Sequence, residues 1–271
     1  MTYGTRRGSD FLIKFPLPAT KDAAGMVYPI QSLQPQDGTG KGEDAGFSPT
    51  RGEAGHPLNR FHVHYRQRDL GEFTLRVPGV HNVLNATAAI AVGLGLDIAV
   101  DSIRSALDQF RGVDRRFQLR GRVAGVSVID DYGHHPTEIK ATLAAARQCL
   151  FRKIHVIFQP HRYTRTRDLM EEFTAAFNDT DSLFVLDIYA ASEKPIEGIT
   201  GEALAQKIRE KMVKTGRYAS SPAEAIDAVV AVAEKGDMIL TLGAGSVSQL
   251  GPMILEKLQR KHGIGEPGSA S

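Results

Sequence analysis

At 271 residues the chain is long enough for two modest domains or one large α/β domain, and its composition, 42% hydrophobic and 24% charged, supports a sizeable core. A formal net charge of +2 carries none of the strong basic bias of nucleic-acid binders, so no nucleic-acid partner is expected. The single cysteine, Cys149, excludes an internal disulfide, suits a reducing compartment and reads as a buried, inert thiol.

Residues 1–7 contain no apolar core of signal-peptide length. Apolar runs such as 88–100 are interrupted by Gly93, Gly95 and Asp97 and fall short of the roughly 20 residues that span a bilayer. No membrane partner is expected, and a cytoplasmic location is. Residues 10–15 have the pattern of a strand. From Pro16 to about Asn59 the sequence dissolves into Gly, Pro, Asp, Lys and Ser, which predicts a disordered insertion between two strands. Alternation returns at Phe61, Val63 and Tyr65, then at Phe73, Leu75 and Val77, and predicts a hairpin. Val83, Thr87, Ile90, Ala91 and Leu94 share one face of a predicted helix, and Val100, Ile103, Leu107 and Phe110 mark a second. Gly112-Val113-Asp114 reads as a linker, which places a first domain at 1–113 and a second at 114–262, with 263–271 as a flexible tail.

Strand and helix then alternate. Val126 to Ile129 is an apolar strand, and a helix opens at His135-Pro136-Thr137-Glu138, with proline at the first helical position and an acid in the first turn. Residues 154–158, 183–186 and 239–242 are further strands; helices are predicted over 168–177 and after Ser221-Pro222-Ala223-Glu224, which has capping-box spacing. Such alternation predicts an α/β fold with a Rossmann-like, doubly wound, mostly parallel sheet. Ligands of these sheets bind beyond the carboxyl ends of the strands.

Three segments occupy such ends: Asp130 to Pro136, Gln159 to Arg167, and Gly243 to Ser246. The second packs three arginines and a histidine into seven residues, and guanidinium forks suit carboxylates and phosphates. A solvated basic loop is the plain alternative; the strand-end position favours anion binding. His134-His135 beside two aspartates matches no standard zinc spacing, and His135 is placed to cap the helix, so no metal ligand is assigned there. Gly243-Ala244-Gly245 is equally a tight turn or an anion approach to a helix start. Asn82 and Asn85, three apart at a helix start, are able to cap the helix or to reach a purine edge. Arg115-Arg116 lies at the domain junction, where closure would deliver charge.

Taken together, the stretches 79–85, 112–117, 130–138 and 159–167 resemble the Mur ligases of peptidoglycan precursor synthesis, a likeness that runs from Arg60 to about Leu258 plus Thr2-Tyr3-Gly4. Tyr132-Gly133 and the run His161 to Thr166 favour the alanine-adding branch over the related branch that recycles muramyl peptides. The resemblance implies an ATP-dependent ligase joining L-alanine to the carboxylate of UDP-N-acetylmuramate through an acyl phosphate. It further implies that residues 1–113 are the incomplete rear of an ATP-binding central domain. Asn82 and Asn85 match adenine contacts, Arg116 an arginine reaching the ATP phosphates, and Asp131 a ribose contact. Tyr132, His134, His161, Arg162 and Arg165 match positions facing the amino acid and the acceptor carboxylate, with Arg116, His161 and Arg165 as catalytic candidates. ATP and Mg²⁺ are the implied cofactors. The family's Gly-x-x-Gly-Lys-Thr phosphate loop is not found in the sequence: Gly38-Thr39-Gly40-Lys41-Gly42 precedes no helix, and the Mg²⁺ ligands are expected upstream. A separate N-terminal fragment is therefore an expected partner, and a non-catalytic nucleotide- and amino-acid-binding module is the alternative.

Overall fold

The structure, a computed structural model, describes residues 3–4, 11–14, 50–51, 57–65, 68–211 and 216–264. The chain divides into two compact units, 1–111 and 112–271.

The first unit holds strands β1 (Tyr3–Gly4), β2 (Phe11–Lys14), β3 (Thr50–Arg51), β4 (Pro57–Tyr65) and β5 (Arg68–Leu75), then helices α1 (Val80–Gly95) and α2 (Val100–Gln109). The strand order is β1-β2-β4-β3, with β5 also paired to β4. Most of the expected 16–59 insertion lies outside the described residues, but two pieces of it are strands. Thr50 pairs with Leu58 and Arg51 with Pro57, so β4 starts before the predicted hairpin does. Proline is tolerated there because it opens the strand and withholds no interior donor. Alternation sends Phe61, Val63, Phe73 and Leu75 into a core with Val83, Ile90 and Ile103, and leaves His62 and His64 on the opposite side of β4.

The second unit holds β6 (Gln118–Val123), β7 (Val126–Asp131), α3 (Pro136–Gln148), β8 (Ile154–Phe158), α4 (Tyr163–Asp168), α5 (Met170–Thr174), β9 (Ser182–Val185), α6 (Gly201–Lys211), β10 (Gly216–Tyr218), α7 (Pro222–Val232), β11 (Met238–Leu242) and α8 (Leu250–Lys261). Its six strands run in the order β10-β9-β8-β11-β7-β6. All neighbours are parallel except β6, which lies antiparallel on β7. Ile154, Val156, Phe158, Leu240 and Leu242 face Ile139, Phe173 and Leu204 on one side. Ile157, Phe184 and Ile239 face Ile226, Val229 and Ile254 on the other. Both faces are covered, which is why these strands read as continuous apolar runs.

Two boundaries differ from the sequence expectation. Strand β7 continues through Asp130 and Asp131, which pair with Thr241 and Leu242 of β11. The single helix predicted over 168–177 is two pieces, Tyr163–Asp168 and Met170–Thr174, so the helical stretch begins and ends earlier than expected. Its true beginning is capped from a distance: Glu193 accepts the Thr164 N–H at 3.0 Å and the Thr164 hydroxyl at 2.7 Å. No local pattern could announce a cap supplied 29 residues downstream.

Candidate functional site

The central parallel strands β7, β8 and β11 end side by side at Asp131, Phe158 and Leu242, so their three succeeding loops emerge on one rim. Backbone bonds stitch those loops together: Gly243 N–H to Asp131 O at 3.1 Å and Gln159 N–H to Leu242 O at 3.0 Å. The Gln159 side chain extends the stitching by accepting the Val247 N–H at 3.0 Å.

Because side chains alternate along a strand, Asp130 and Asp131 point to opposite faces of the sheet. Asp131 is 5% exposed and accepts from Phe117 N–H, Gly133 N–H (both 2.8 Å) and the Thr142 hydroxyl at 3.1 Å. Burial pushes its carboxyl above the ordinary aspartate value, despite these donors and the nearby Arg116 charge. Asp130 accepts the Thr241 hydroxyl at 2.6 Å and meets Arg115 Nε at 3.3 Å. Arg115 also donates to Gly243 O at 2.6 Å, and its guanidinium lies 4.8 Å from the Tyr132 ring centre. The two junction arginines thus separate. Arg115 is tied into the rim, whereas Arg116 is exposed, its guanidinium 5.5 Å from the same ring centre.

From Tyr132 a chain of rings crosses the loops. Tyr132 meets His134 edge-on at 5.3 Å, His134 meets His161 at 5.7 Å, and His161 stacks on Tyr189 at 5.6 Å and 13°. Arg165 Nη1 lies 3.1 Å from His161 Nδ1. A guanidinium only donates, so Nδ1 is the acceptor and the neutral ring carries its proton on Nε2. Burial first, then the charge of Arg165, holds the His161 imidazole below the ordinary histidine value. Arg162 is exposed and has a positive φ of 72°, uncommon for a side chain of this size. Arg167 turns away to pair with Asp168 at 2.8 Å. Of the three arginines in this loop, Arg162 and Arg165 therefore remain for an anion.

Tyr189 is a site residue that the sequence pattern does not reveal. It sits in the loop after β9, joined to His161 by a parallel bridge, and it is 42% exposed. Gly245 lies close beneath it: a Cβ there would stand 2.7 Å from Tyr189 Cγ and 2.5 Å from Gln159 Oε1. At Gly243-Ala244-Gly245 the loop turns closely, with Gly243 at a φ of 143°. The carbonyls of Gly243 and Gly245 turn to Arg115, and the chain continues into a four-residue 3-10 turn, Ser246–Gln249.

His135 caps α3, its Nδ1 accepting the Thr137 N–H at 3.3 Å while Glu138 accepts the His135 N–H at 3.2 Å. Burial pushes the Cys149 thiol up to about 12, which leaves no thiolate nucleophile. Asn82 and Asn85 lie in the other unit on α1; the Asn82 amide donates to Pro78 O at 2.6 Å, and Asn85 is exposed. Mg²⁺ prefers oxygen ligands, and among the described residues no ligand cluster of that kind stands at this rim. Among the described residues no helix is long and apolar enough to cross a membrane.

Residues 115–245 match the family model described as Mur ligase, glutamate ligase domain. The chain is 58% identical over 261 residues to UDP-N-acetylmuramate–L-alanine ligase of Koribacter versatilis, covering 96% of this chain and 49% of that protein. It is 48% identical over 260 residues to the enzyme of the same name from Acidobacterium capsulatum, covering 96% and 48%. Its fold is similar to the crystal structure of UDP-N-acetylmuramate-alanine ligase from Thermotoga maritima, with a TM-score of 0.66 and 28% identity over 80% of this chain and 45% of that one. The chain spans about half the length of the curated relatives it matches. The rim built by Arg116, Asp131, Tyr132, His134, His161 and Arg165 lies within the matched residues, and residues 115–245 form a Mur ligase C-terminal domain.

Proposed function

We propose that this chain supplies the rear half of an ATP-dependent ligase that joins L-alanine to UDP-N-acetylmuramate. The observation that carries this reading is the continuous polar rim formed by Arg116, Tyr132, His134, His161 and Arg165 across loops from different strands. In the proposed reaction the muramate carboxylate attacks the γ-phosphate of ATP and ADP leaves. The alanine amine then attacks the acyl phosphate carbonyl, and inorganic phosphate leaves. Both steps bring anions together, so fixed positive charge at the rim does the positioning.

Each residue has a defined part. Arg116, exposed at the unit junction, reaches the ATP phosphates, and Asp131 holds the ribose from the end of β7. Asn82 and Asn85 of the first unit hold the adenine. Arg162 and Arg165 gather the acceptor carboxylate, while His161 presents its Nε2–H as a neutral donor beside them. Tyr132 and His134 form the wall against which the amino acid packs. Mg²⁺ would neutralise phosphate charge when bound; its ligands and the phosphate loop are assigned to a front portion supplied by a separate fragment or a longer chain.

The test is complementation. The front half of the Koribacter versatilis relative is joined to this chain, and ADP release is followed with UDP-N-acetylmuramate, alanine and ATP. Release that depends on both the muramate and alanine is expected, together with negligible release from the 271-residue chain alone. A folded chimera with no alanine-dependent turnover would overturn the proposal, as would robust turnover by the isolated chain.

A further inference from the structure

A second chemical cluster lies in the first unit, on the hairpin of β4 and β5. His62 and His64 are two apart on β4, so a regular strand puts both imidazoles on the side away from Phe61 and Val63. Their rings are 5.1 Å apart. Across the ladder, Val63 pairs with Gly71 but His64 pairs with Asp69, so one residue of β5 is skipped. Without that bulge, Leu70 would stand opposite His64 on the solvent side. With it, Leu70 turns into the core at 4% exposure and Asp69 comes round to the two histidines. Bulges of this kind re-aim a side chain and are retained as features of a fold. The left-handed φ of 84° at Gly71 makes the turn possible, and the Gly71 N–H fixes Asp69 Oδ1 at 2.8 Å.

We propose that His62, His64 and Asp69 form a binding site for a divalent transition-metal ion of the zinc type. Two imidazoles and one carboxylate are a donor set for zinc and its neighbours, not for magnesium. The three ligand atoms lie within 4.8 Å of one another. His62 Nε2 is 2.7 Å and His64 Nδ1 3.8 Å from Asp69 Oδ1. Ligand atoms about a tetrahedral zinc at its usual bond lengths stand roughly 3.4 Å apart, so these distances bracket the requirement. Small rotations of exposed side chains close the remainder: the three side chains are 39%, 25% and 59% exposed, open to solvent for entry and for a completing water. The cluster belongs to the first unit, and its two imidazoles set it apart from the all-oxygen ligands that Mg²⁺ prefers. Its role is to clip the two strands of the hairpin together.

The probe is Zn²⁺ itself, titrated against the full, untagged, metal-stripped chain with a competing chelator; Co²⁺ serves as a spectroscopic stand-in. One equivalent bound at micromolar concentration is expected, with a raised thermal midpoint and no displacement by millimolar Mg²⁺. His62→Ala/His64→Ala should abolish this binding, and Asp69→Asn should weaken it at least about 10-fold, since even outer-shell changes at metal sites cost that much. Circular dichroism establishes that each variant is folded. If the double variant fails to fold, the Asp69→Asn titration and the Co²⁺ spectrum of the parent decide instead. No bound equivalent in the parent, equal affinity in Asp69→Asn or in a folded double variant, or displacement of zinc by Mg²⁺ would each overturn the site.

Discussion

Arg115 and Arg116 are adjacent in sequence, and only their surroundings tell them apart. Arg115 pairs with Asp130, which is 1% exposed, and holds the Gly243 carbonyl. Removing it leaves a buried carboxylate with the Thr241 hydroxyl alone, so Arg115→Ala should cost about 2–3 kcal/mol of stability. Arg116 makes its ring contact from an exposed position, so Arg116→Ala should leave the unfolding free energy within about 0.5 kcal/mol of the parent while lowering ATP-dependent turnover of the chimera. Urea melts of both variants settle the pair; equal destabilisation would show that the assignment of roles is wrong. His161 carries a second residue-scale expectation. Burial and Arg165 depress its value, so its ring should titrate below the ordinary 6.5 in an NMR titration, and Arg165→Gln should move the midpoint part of the way back up. A depressed histidine adds stability that is present above its unfolded value and is lost as pH falls through the folded one. A midpoint at or above 6.5 in the parent would mean that burial and the Arg165 charge do not depress the ring.

At the scale of elements, legibility in the sequence tracks burial. Strands β7, β8, β9 and β11 are apolar because both faces are covered, and α3 shows its start because His135, Pro136 and Glu138 are local signals. Strand β6 is not legible: Gln118-Leu-Arg-Gly-Arg-Val is an edge strand whose only buried residue is Val123, so nothing in it reads as core. The capping box at Ser221 is half right, since Ser221 caps Glu224 N–H but the Glu224 carboxylate turns to Ser220 instead. Within the site, the residues of the 130–138 and 159–167 loops are legible because they directly succeed apolar strands. Tyr189 is not, because its place depends on how the loop after β9 folds back over His161. That placement rests on the absence of a side chain at Gly245. In Gly245→Ala the new Cβ would collide with Tyr189 and Gln159, at a cost of about 1–2 kcal/mol, and Tyr189 would leave the His161 ring. Ring-current shifts at His161 report the loss; unchanged shifts with unchanged stability would show that the loop tolerates the methyl group.

Across the second unit, the two ends of one sheet carry opposite kinds of chemistry. At the carboxyl rim Asp130 and Asp131 are buried, while the arginines Arg116 and Arg162 are exposed. At the amino rim Asp237 is fully buried and saturated. It accepts from Arg152 at 2.9 and 3.0 Å, His155 Nε2 at 3.0 Å and Glu234 N–H at 2.9 Å, while His155 Nδ1 takes the Ser182 hydroxyl at 2.7 Å. Since a carboxylate only accepts, the His155 proton sits on Nε2, and the group reads as a clamp joining β8, β9 and the turn before β11. Burial alone would raise the Asp237 carboxyl, but Arg152, His155 and the Glu234 amide win and hold it below the ordinary aspartate value. Asp237→Ala should therefore destabilise the chain by about 1–3 kcal/mol at neutral pH, because it leaves the buried His155 Nε2–H without its acceptor, while Arg152 keeps Glu234. A depressed carboxyl contributes stability that is complete above the unfolded aspartate value and is lost as pH falls through the folded one. Urea midpoints of parent and variant should thus keep the same separation at about pH 7 and about pH 5 and converge only below about pH 4. Convergence already within that upper interval would mean that some group other than Asp237 carries the clamp.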